Sequence, residues 1–348
     1  MNKVRVGIVG AAGLSAGKLL GILARHPGVE LGPLVSESAP GSPITNFHPE
    51  LLGRVDQRFS AWDTDALAQC DFVFSCKRHG ESWTYIPQLL EKGCRVIDLS
   101  GDFRLKDASL YDAWYGMPHT SPAHLQTAVY GLPEVRRDAI RHAQLIANPG
   151  CYTTASILAA RPFFFSGLAL ESQLLVHAMS GVSGAGRAAK EENLFISVAD
   201  NIRAYKIGNH QHTPEIEQEL THTNPKGAAV RPTLLFVPHV GPYKNGIMAT
   251  AYLKLLPDTA LPPAEQLLQI LHRAYEGHPF IRIRGTKSMP QLAPVVGTNF
   301  CDLGVTVDAR TRTIIVVSCI DNLIKGAAGQ AVQNLNLMAG FAETTALI

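Results

Sequence analysis

The chain has no cluster of basic residues. Its 31 lysines and arginines are balanced by 29 aspartates and glutamates, which leaves a net charge of +2 over 348 residues. Extended polyanions, nucleic acid among them, are therefore excluded as partners, whereas a small anionic substrate needs only one or two positioned arginines. No apolar run reaches membrane-spanning length, and residues 1–6 lead straight into a strand pattern rather than a signal peptide. No membrane contact is expected, and the chain reads as cytoplasmic. The six cysteines, Cys70, Cys76, Cys94, Cys151, Cys301 and Cys319, include no C-x-x-C pair and no metal-ligand spacing, so reduced thiols and no bound metal are expected. Internal repeats and low-complexity linkers are missing too. What remains is a globular composition, 46% hydrophobic and 17% charged, in a chain longer than one core usually serves, so two domains are expected.

The first half alternates short β-type runs with helical ones: 4–9 then 15–25, 29–35, 72–75 then 82–91, 94–99, and 145–147. Such alternation favours a parallel, doubly wound sheet. From about residue 172 longer strand patterns follow with fewer helices between them, over 174–179, 233–237, 248–255, 300–307 and 313–318. They predict a mixed or antiparallel sheet in a second domain. A last helix is expected over 322–339, where Gly326-Ala327-Ala328-Gly329 predict close packing against another element, the first domain being one candidate.

Near the start, Val6-Gly7-Ile8-Val9-Gly10-Ala11-Ala12-Gly13-Leu14-Ser15-Ala16-Gly17 reads as a strand, a tight turn and a helix start. Glycines let backbone N–H groups approach a pyrophosphate, which the helix N-terminus neutralises; an ordinary strand-to-helix turn would use the same residues. The spacing, G-x-x-G-x-x-x-G, is a variant of G-x-G-x-x-G. After the second strand, Ser36-Glu37-Ser38 stands where an acidic residue would clasp the ribose of NAD. Two hydroxyls suit a 2′-phosphate, so NADP is the expected cofactor, unless the serines belong to a plain solvated loop. Glu37 sits badly with that expectation, because its carboxylate would repel the phosphate or bind a ribose diol.

Asn148-Pro149-Gly150-Cys151-Tyr152-Thr153-Thr154 follows a strand-like run and opens an apolar, helix-like run over 155–160. That layout puts the Cys151 thiol at a helix start, where unpaired N–H groups and the helix dipole favour a nucleophilic thiolate. The plainer alternative is a small buried apolar residue. Asn209-His210-Gln211-His212-Thr213-Pro214-Glu215 places two histidines just before a helix that Pro214 and Glu215 can start. With no third ligand in sight, the functional reading is a general acid/base serving a thiolate rather than zinc; a capping or surface histidine is the alternative.

Two further segments end apolar strands. The backbone of Ser180-Gly181-Val182-Ser183-Gly184-Ala185-Gly186-Arg187 could hold a phosphate, or its glycines could simply make a sharp turn. In Asp98-Leu99-Ser100-Gly101-Asp102-Phe103-Arg104, Arg104 could clamp a phosphate or carboxylate, or pair with Asp102 on the surface.

Together with Tyr130-Gly131-Leu132-Pro133-Glu134, Val237-Pro238-His239 and Asp321-Asn322-Leu323-Ile324-Lys325-Gly326-Ala327-Ala328-Gly329-Gln330-Ala331, these segments resemble the N-acetyl-γ-glutamyl-phosphate reductase family. Its members are NADPH-dependent acyl-phosphate reductases of arginine biosynthesis, and the segments run in family order across nearly the whole chain. The resemblance implies an α/β fold. A Rossmann-type dinucleotide-binding domain would span 1–147 and be completed by a C-terminal helix within 322–348. An α+β catalytic and dimerisation domain, like that of aspartate-semialdehyde and glyceraldehyde-phosphate dehydrogenases, would span 148–321. The resemblance also implies NADP(H), a homodimer or homotetramer, and a Cys151 nucleophile that forms a thioacyl intermediate. The histidine pair would supply the acid/base, with His212 preferred over His210. Cofactor contacts are implied for Gly10, Ala12, Gly13, Leu14, Ser15, Ser36, Ser38, Ser183, Gly184 and Asn322, and substrate contacts for Arg104, Asn148, Ser180 and Arg187.

Three places depart from the family's usual pattern. Cys76-Lys77-Arg78-His79-Gly80 stands for Ala-Leu-Pro-His-Gly, Gln211 for an arginine between the histidines, and Asn245-Gly246-Ile247 for Arg-Gly-Ile. Two expected positive charges are gone and two new ones stand near the cofactor loop, which opens the identity of the acyl group. The alternative substrate is the carrier-protein-linked aminoadipyl phosphate of lysine biosynthesis. A non-catalytic NADP-binding regulator is the alternative of another class. A short-chain alcohol dehydrogenase would carry a Tyr-x-x-x-Lys that this chain lacks.

Overall fold

The computed structural model describes residues 3–170, 173–187, 190–223, 229–285 and 288–348; residues 1–2, and position 172 where the change of pattern is expected, lie outside the described residues. The chain divides into two compact units, Met1–Gly150 with Ala327–Ile348, and Cys151–Gly326. Residues 322–326 thus belong with the second unit rather than with the C-terminal helix.

In the first unit β1 (Val4–Val9), β2 (Val29–Val35), β3 (Phe72–Ser75), β4 (Arg95–Asp98), β5 (Val129–Tyr130) and β6 (Leu145–Ala147) form one sheet in the order β2-β1-β3-β4-β6-β5. Every pairing is parallel. Strands of such a sheet are covered on both faces, which is why Phe72-Val73-Phe74-Ser75 is buried throughout instead of alternating. The helix Leu14–Leu23 carries the chain from β1 to β2 on one side, and the chain then crosses to β3 on the other. β1 is therefore the switch point, where open α/β sheets bind ligands beyond their carboxyl ends. Register aligns those ends: Val9 pairs with both Val35 and Ser75, Ser75 with Asp98, and Asp98 with Ala147. The ladder continues one step past the strands, with N–H of Ala11, Cys76, Leu99 and Asn148 donating to carbonyls of Val35, Val9, Ser75 and Asp98. Gly10, Ser36, Cys76, Leu99 and Asn148 form a row just beyond the carboxyl ends of the strands.

The helix expected over 82–91 is broken into a 3-10 turn, Ser82–Thr84, and an α-helix, Ile86–Glu91. Pro87 lacks an N–H and sits most easily in a first helical turn, where the helix restarts. The C-terminal helix Gly329–Ala339 packs on the helices Leu14–Leu23 and Pro133–His142 of the same unit. Its landing place is the Tyr130-Gly131 motif: Gln330 Nε2 and Asn334 Nδ2 donate to the Gly131 carbonyl at 3.1 and 2.9 Å.

The second unit holds a mixed seven-stranded sheet. Its strands are β7 (Gln173–Gly181) and β8 (Arg203–Ala204) and, after a separate hairpin of β9 (His222–Thr223) and β10 (Ala229–Val230), β11 (Thr233–Gly241), β12 (Ile247–Lys254), β13 (Ile281–Ile283), β14 (Cys301–Asp308) and β15 (Thr313–Ile320). Their order is β13-β14-β15-β12-β7-β11-β8, with β7/β11 and β13/β14 parallel and the other pairs antiparallel. β12 alternates buried and half-buried residues, the mark of a sheet with one covered face. The cover is the helix Cys151–Phe165, packed on β12 and β15. It runs well beyond the expected 155–160 and passes through Pro162. The carbonyl that Pro162 cannot bond, that of Leu158, accepts the Tyr275 hydroxyl at 2.6 Å instead.

The helix expected over 322–339 is likewise divided. Asp321 Oδ1 accepts the N–H groups of Leu323 and Ile324, a π-helical turn spans Ile324–Ala328, and the α-helix starts only at Gly329.

Candidate active site

Cys151 is the first residue of its helix and is half-buried, and the helix has no acidic side chain in its first turn to oppose a thiolate. Burial pushes Cys70 up to about 11 and Cys319 up to about 12, and raises Cys76 and Cys94 as well, which favours their thiol forms. The two segments expected to cooperate meet in this unit. Thr153 Oγ1 donates to Glu215 Oε1 at 2.9 Å, both buried, which locks the first turn of the Cys151 helix to the first turn of the helix His212–Leu220. The Tyr152 ring, one residue from the thiol, lies 5.7 Å from the His210 ring and 6.0 Å from that of His212, and the two imidazoles are 4.6 Å apart.

The histidines differ in what they do there. His210 Nδ1 accepts the backbone N–H of His212 at 3.1 Å, so that nitrogen carries no proton and His210 caps the helix start. His212 is itself the first residue of that helix. Burial raises the phenol of Tyr152, with Tyr205 and the charge of Cys151 adding to it, and its hydroxyl donates to the His239 carbonyl at 2.8 Å. Tyr205 is pushed up to about 12, by burial first and also by the charge of Cys151. The Tyr205 ring lies 5.5 Å from that of His210. The sequence marks it only as a tyrosine in the loop before the histidines.

The loop 180–187 resolves toward a turn. N–H groups of Gly181, Val182, Ser183 and Gly186 donate to carbonyls of Gly246, Tyr243, Lys244 and Ser183, so these four are taken up by protein and do not await a phosphate. Asn322 fixes the loop from the other side. Its Oδ1 accepts the Gly246 N–H at 2.6 Å and its Nδ2 donates to Ser183 Oγ at 3.0 Å. Ser180 Oγ donates to the Gly181 carbonyl, and Arg187 lies exposed at the loop's end.

Arg104 and Asn148 are brought together in the first unit. Arg104 is 4% exposed; its Nε donates to the Asn148 carbonyl and its Nη2 to that of Leu99, both at 2.8 Å. Asn148 in turn donates to the Ala327 carbonyl and accepts from Asn334. The alternative of a surface pair between Asp102 and Arg104 gives way to backbone contacts: Asp102 takes the N–H groups of Gly80 and Ser82, each at 2.7 Å. Ser82 and Ser100 hydroxyls donate to Asp98. Burial raises Asp98, and burial with the Asp98 charge pushes Asp102 up to about 7. The effect of this network is to tie the 76–82 loop to the end of β4.

The glycine turn fits a dinucleotide pyrophosphate. Gly10 has φ +77°, and a Cβ there would lie 2.8 Å from the Cys76 carbonyl oxygen, so only glycine serves. Gly13 is the N-cap of the helix Leu14–Leu23, no side chain caps that helix, and its first turn carries no acid; the Gly13 N–H closes the turn onto the Gly10 carbonyl at 3.2 Å, and the backbone at Ala12, Leu14 and Ser15 offers a helix start suited to an anion. His48, which the motif does not announce, donates from Nε2 to the Ala11 carbonyl at 2.8 Å and holds the turn. Ser36 and Ser38 hydroxyls lie 3.3 Å apart on the neighbouring strand end. Glu37 between them meets Lys77 Nζ at 2.9 Å, and Lys77 also reaches Glu81 at 2.7 Å. Burial works to lower the Lys77 ammonium, and the two carboxylates outweigh it and hold it up.

Among the described residues no group of three His, Cys, Asp or Glu side chains could hold a metal ion, and no helix is long and apolar enough to cross a membrane.

Residues 5–143 match the family described as semialdehyde dehydrogenase, NAD binding domain, and residues 151–322 the one described as semialdehyde dehydrogenase, dimerisation domain. The N-acetyl-gamma-glutamyl-phosphate reductase of Cellvibrio japonicus is 43% identical over 99% of this chain and 98% of its own length. The protein of that name from Symbiobacterium thermophilum is 44% identical over 99% of this chain and 97% of its own. Among solved structures, aspartate semialdehyde dehydrogenase II of Vibrio cholerae complexed with ASA superposes with a TM-score of 0.71 at 22% identity, covering 98% of this chain and 99% of that one. Aspartate semialdehyde dehydrogenase of Candida albicans with NADP gives 0.71 at 16% identity, covering 97% and 99%. These structural likenesses establish the fold.

Proposed function

The chain belongs to the N-acetyl-gamma-glutamyl-phosphate reductase family, and we infer on that premise that it reduces N-acetyl-γ-glutamyl phosphate to the 5-semialdehyde with release of phosphate, using NADPH. The observation that carries the chemistry is the half-buried Cys151 thiol at a helix start, with two histidines packed on the neighbouring Tyr152.

In the reading this supports, the Cys151 thiolate attacks the acyl-phosphate carbonyl carbon. A carbon–sulfur bond forms, the carbon–oxygen bond to phosphate breaks, and inorganic phosphate leaves with the electron pair. The cofactor, when bound, supplies the hydride that takes the thioester to the aldehyde level. His212 protonates the resulting oxyanion and then takes that proton back as the thiolate departs and the aldehyde forms. His210 orients the start of the His212 helix, while the Tyr152 ring packs against both imidazoles. Arg187, at the exposed end of its loop, is the arginine suited to the substrate's anionic groups. Arg104, Asn148 and Asn322 serve as positioning residues. The turn of Gly10, Ala12, Gly13, Leu14 and Ser15 would hold the pyrophosphate of the dinucleotide, with Ser36 and Ser38 at the 2′-phosphate.

The dimerisation-domain match supports self-association as a homodimer or homotetramer, and six free thiols fit a reducing, cytoplasmic setting. The test is NADPH oxidation with either N-acetyl-γ-glutamyl phosphate or a carrier-protein-linked aminoadipyl phosphate. Turnover on the first substrate alone is expected; turnover on the second alone would replace this reading with the lysine-pathway alternative.

A further inference from the structure

Glu37 is the one feature of the cofactor loop that argues against a 2′-phosphate. The structure answers it from another strand. Lys77, two residues past the end of β3, reaches across the glycine turn to the Glu37 carboxylate on the β2 end. The reach is short because β2, β1 and β3 are neighbours in register at Val35, Val9 and Ser75. The Lys77 backbone abuts the turn itself: a Cβ on Gly10 would lie 3.2 Å from the Lys77 nitrogen. The Lys77 side chain is only 17% exposed, whereas that of Glu37 is 61% exposed and free to swing into water. Glu81, four residues on, holds the ammonium independently of Glu37.

We propose that Lys77 determines the cofactor preference of this chain: it neutralises Glu37 and presents its ammonium to the 2′-phosphate beside Ser36 and Ser38. Glu81 keeps Lys77 in place when the phosphate takes over from Glu37. The inference rests on the reading that the first unit binds a 2′-phosphorylated dinucleotide.

The experiment is calorimetric binding of ADP-ribose and 2′-phospho-ADP-ribose to the full chain, which needs no turnover. The wild-type protein should prefer the phosphorylated ligand; equal binding would overturn the cofactor reading itself. Lys77→Gln should weaken the phosphorylated ligand by about tenfold or more and ADP-ribose by less than about threefold, since only the former meets an uncompensated carboxylate. Adding Glu37→Gln to Lys77→Gln should recover most of the loss, and Lys77→Arg should keep the preference, which loop damage would not do. A wild-type preference that survives Lys77→Gln overturns the proposal. So does a Glu37→Gln variant that loses ADP-ribose binding, because Glu37 would then be gripping the ribose.

Discussion

A Cβ atom placed on Gly326 would lie 2.8 Å from the Cβ of Cys151, so the π-helical turn presses its bare backbone against the residue that carries the thiol. Gly326→Ala must push the first turn of the Cys151 helix aside. Displacing a nucleophile by a fraction of an ångström to an ångström costs on the order of 10²-fold in rate, so turnover should fall by about that much while the protein stays folded. Steady-state kinetics beside a thermal melt decide it, and unchanged turnover would show that the contact relaxes freely.

The two histidines should separate by readout. His212→Asn removes the proposed proton carrier and should slow iodoacetamide alkylation of Cys151 at neutral pH, with recovery at higher pH as the thiol ionises unaided. His210→Asn removes a cap on the His212 backbone N–H and should lower stability by about 0.5–2 kcal/mol in chemical denaturation, with the alkylation profile nearly unmoved. The opposite pattern would exchange their roles.

Asp102 gives a pH signature. Folding raises it from 3.8 to about 7, by burial first and then by the charge of Asp98. A carboxyl that holds its proton more tightly when folded contributes stability that is complete below 3.8 and lost as pH rises through about 7. Asp102→Asn cannot titrate, so the melting temperature of the wild-type protein minus that of the variant should fall across this window. A constant difference would mean that Asp102 ionises as freely in the folded chain as in the unfolded one.

Much of this was legible because the signals were local. Strand β1 ends where the glycine turn begins, the NPGCY stretch puts Cys151 at a helix start, and Pro214 and Glu215 mark the helix after the histidines. What the sequence concealed depended on partners far along the chain. Pro162 looks like a helix end until Tyr275 supplies the donor its neighbour needs. Two of the Arg104 N–H groups go to the carbonyls of Leu99 and Asn148, and the amides of residues 181–183 go to residues 243–246, partners that no local signal announces. Lys77 and Glu37 meet only because the chain crosses from one side of β1 to the other.

The second unit exposes Phe195 and Ile196 at 88% and 85%, with Leu194, Ile202 and Ile207 also exposed. Exposed apolar side chains are candidates for burial in the proposed self-association. Phe195→Glu with Ile196→Glu should shift the mass measured by light scattering toward a smaller species; an unchanged mass would place the interface elsewhere.

The central claim is that Cys151 becomes acylated before any reduction occurs. It is tested by mixing the protein with N-acetyl-γ-glutamyl phosphate in the absence of NADPH and measuring phosphate release together with the intact mass. The account predicts a burst approaching one phosphate per chain, and an acyl adduct that maps to Cys151, is lost to hydroxylamine and is missing in Cys151→Ser. No burst and no adduct, or an adduct that persists in Cys151→Ser, would contradict it.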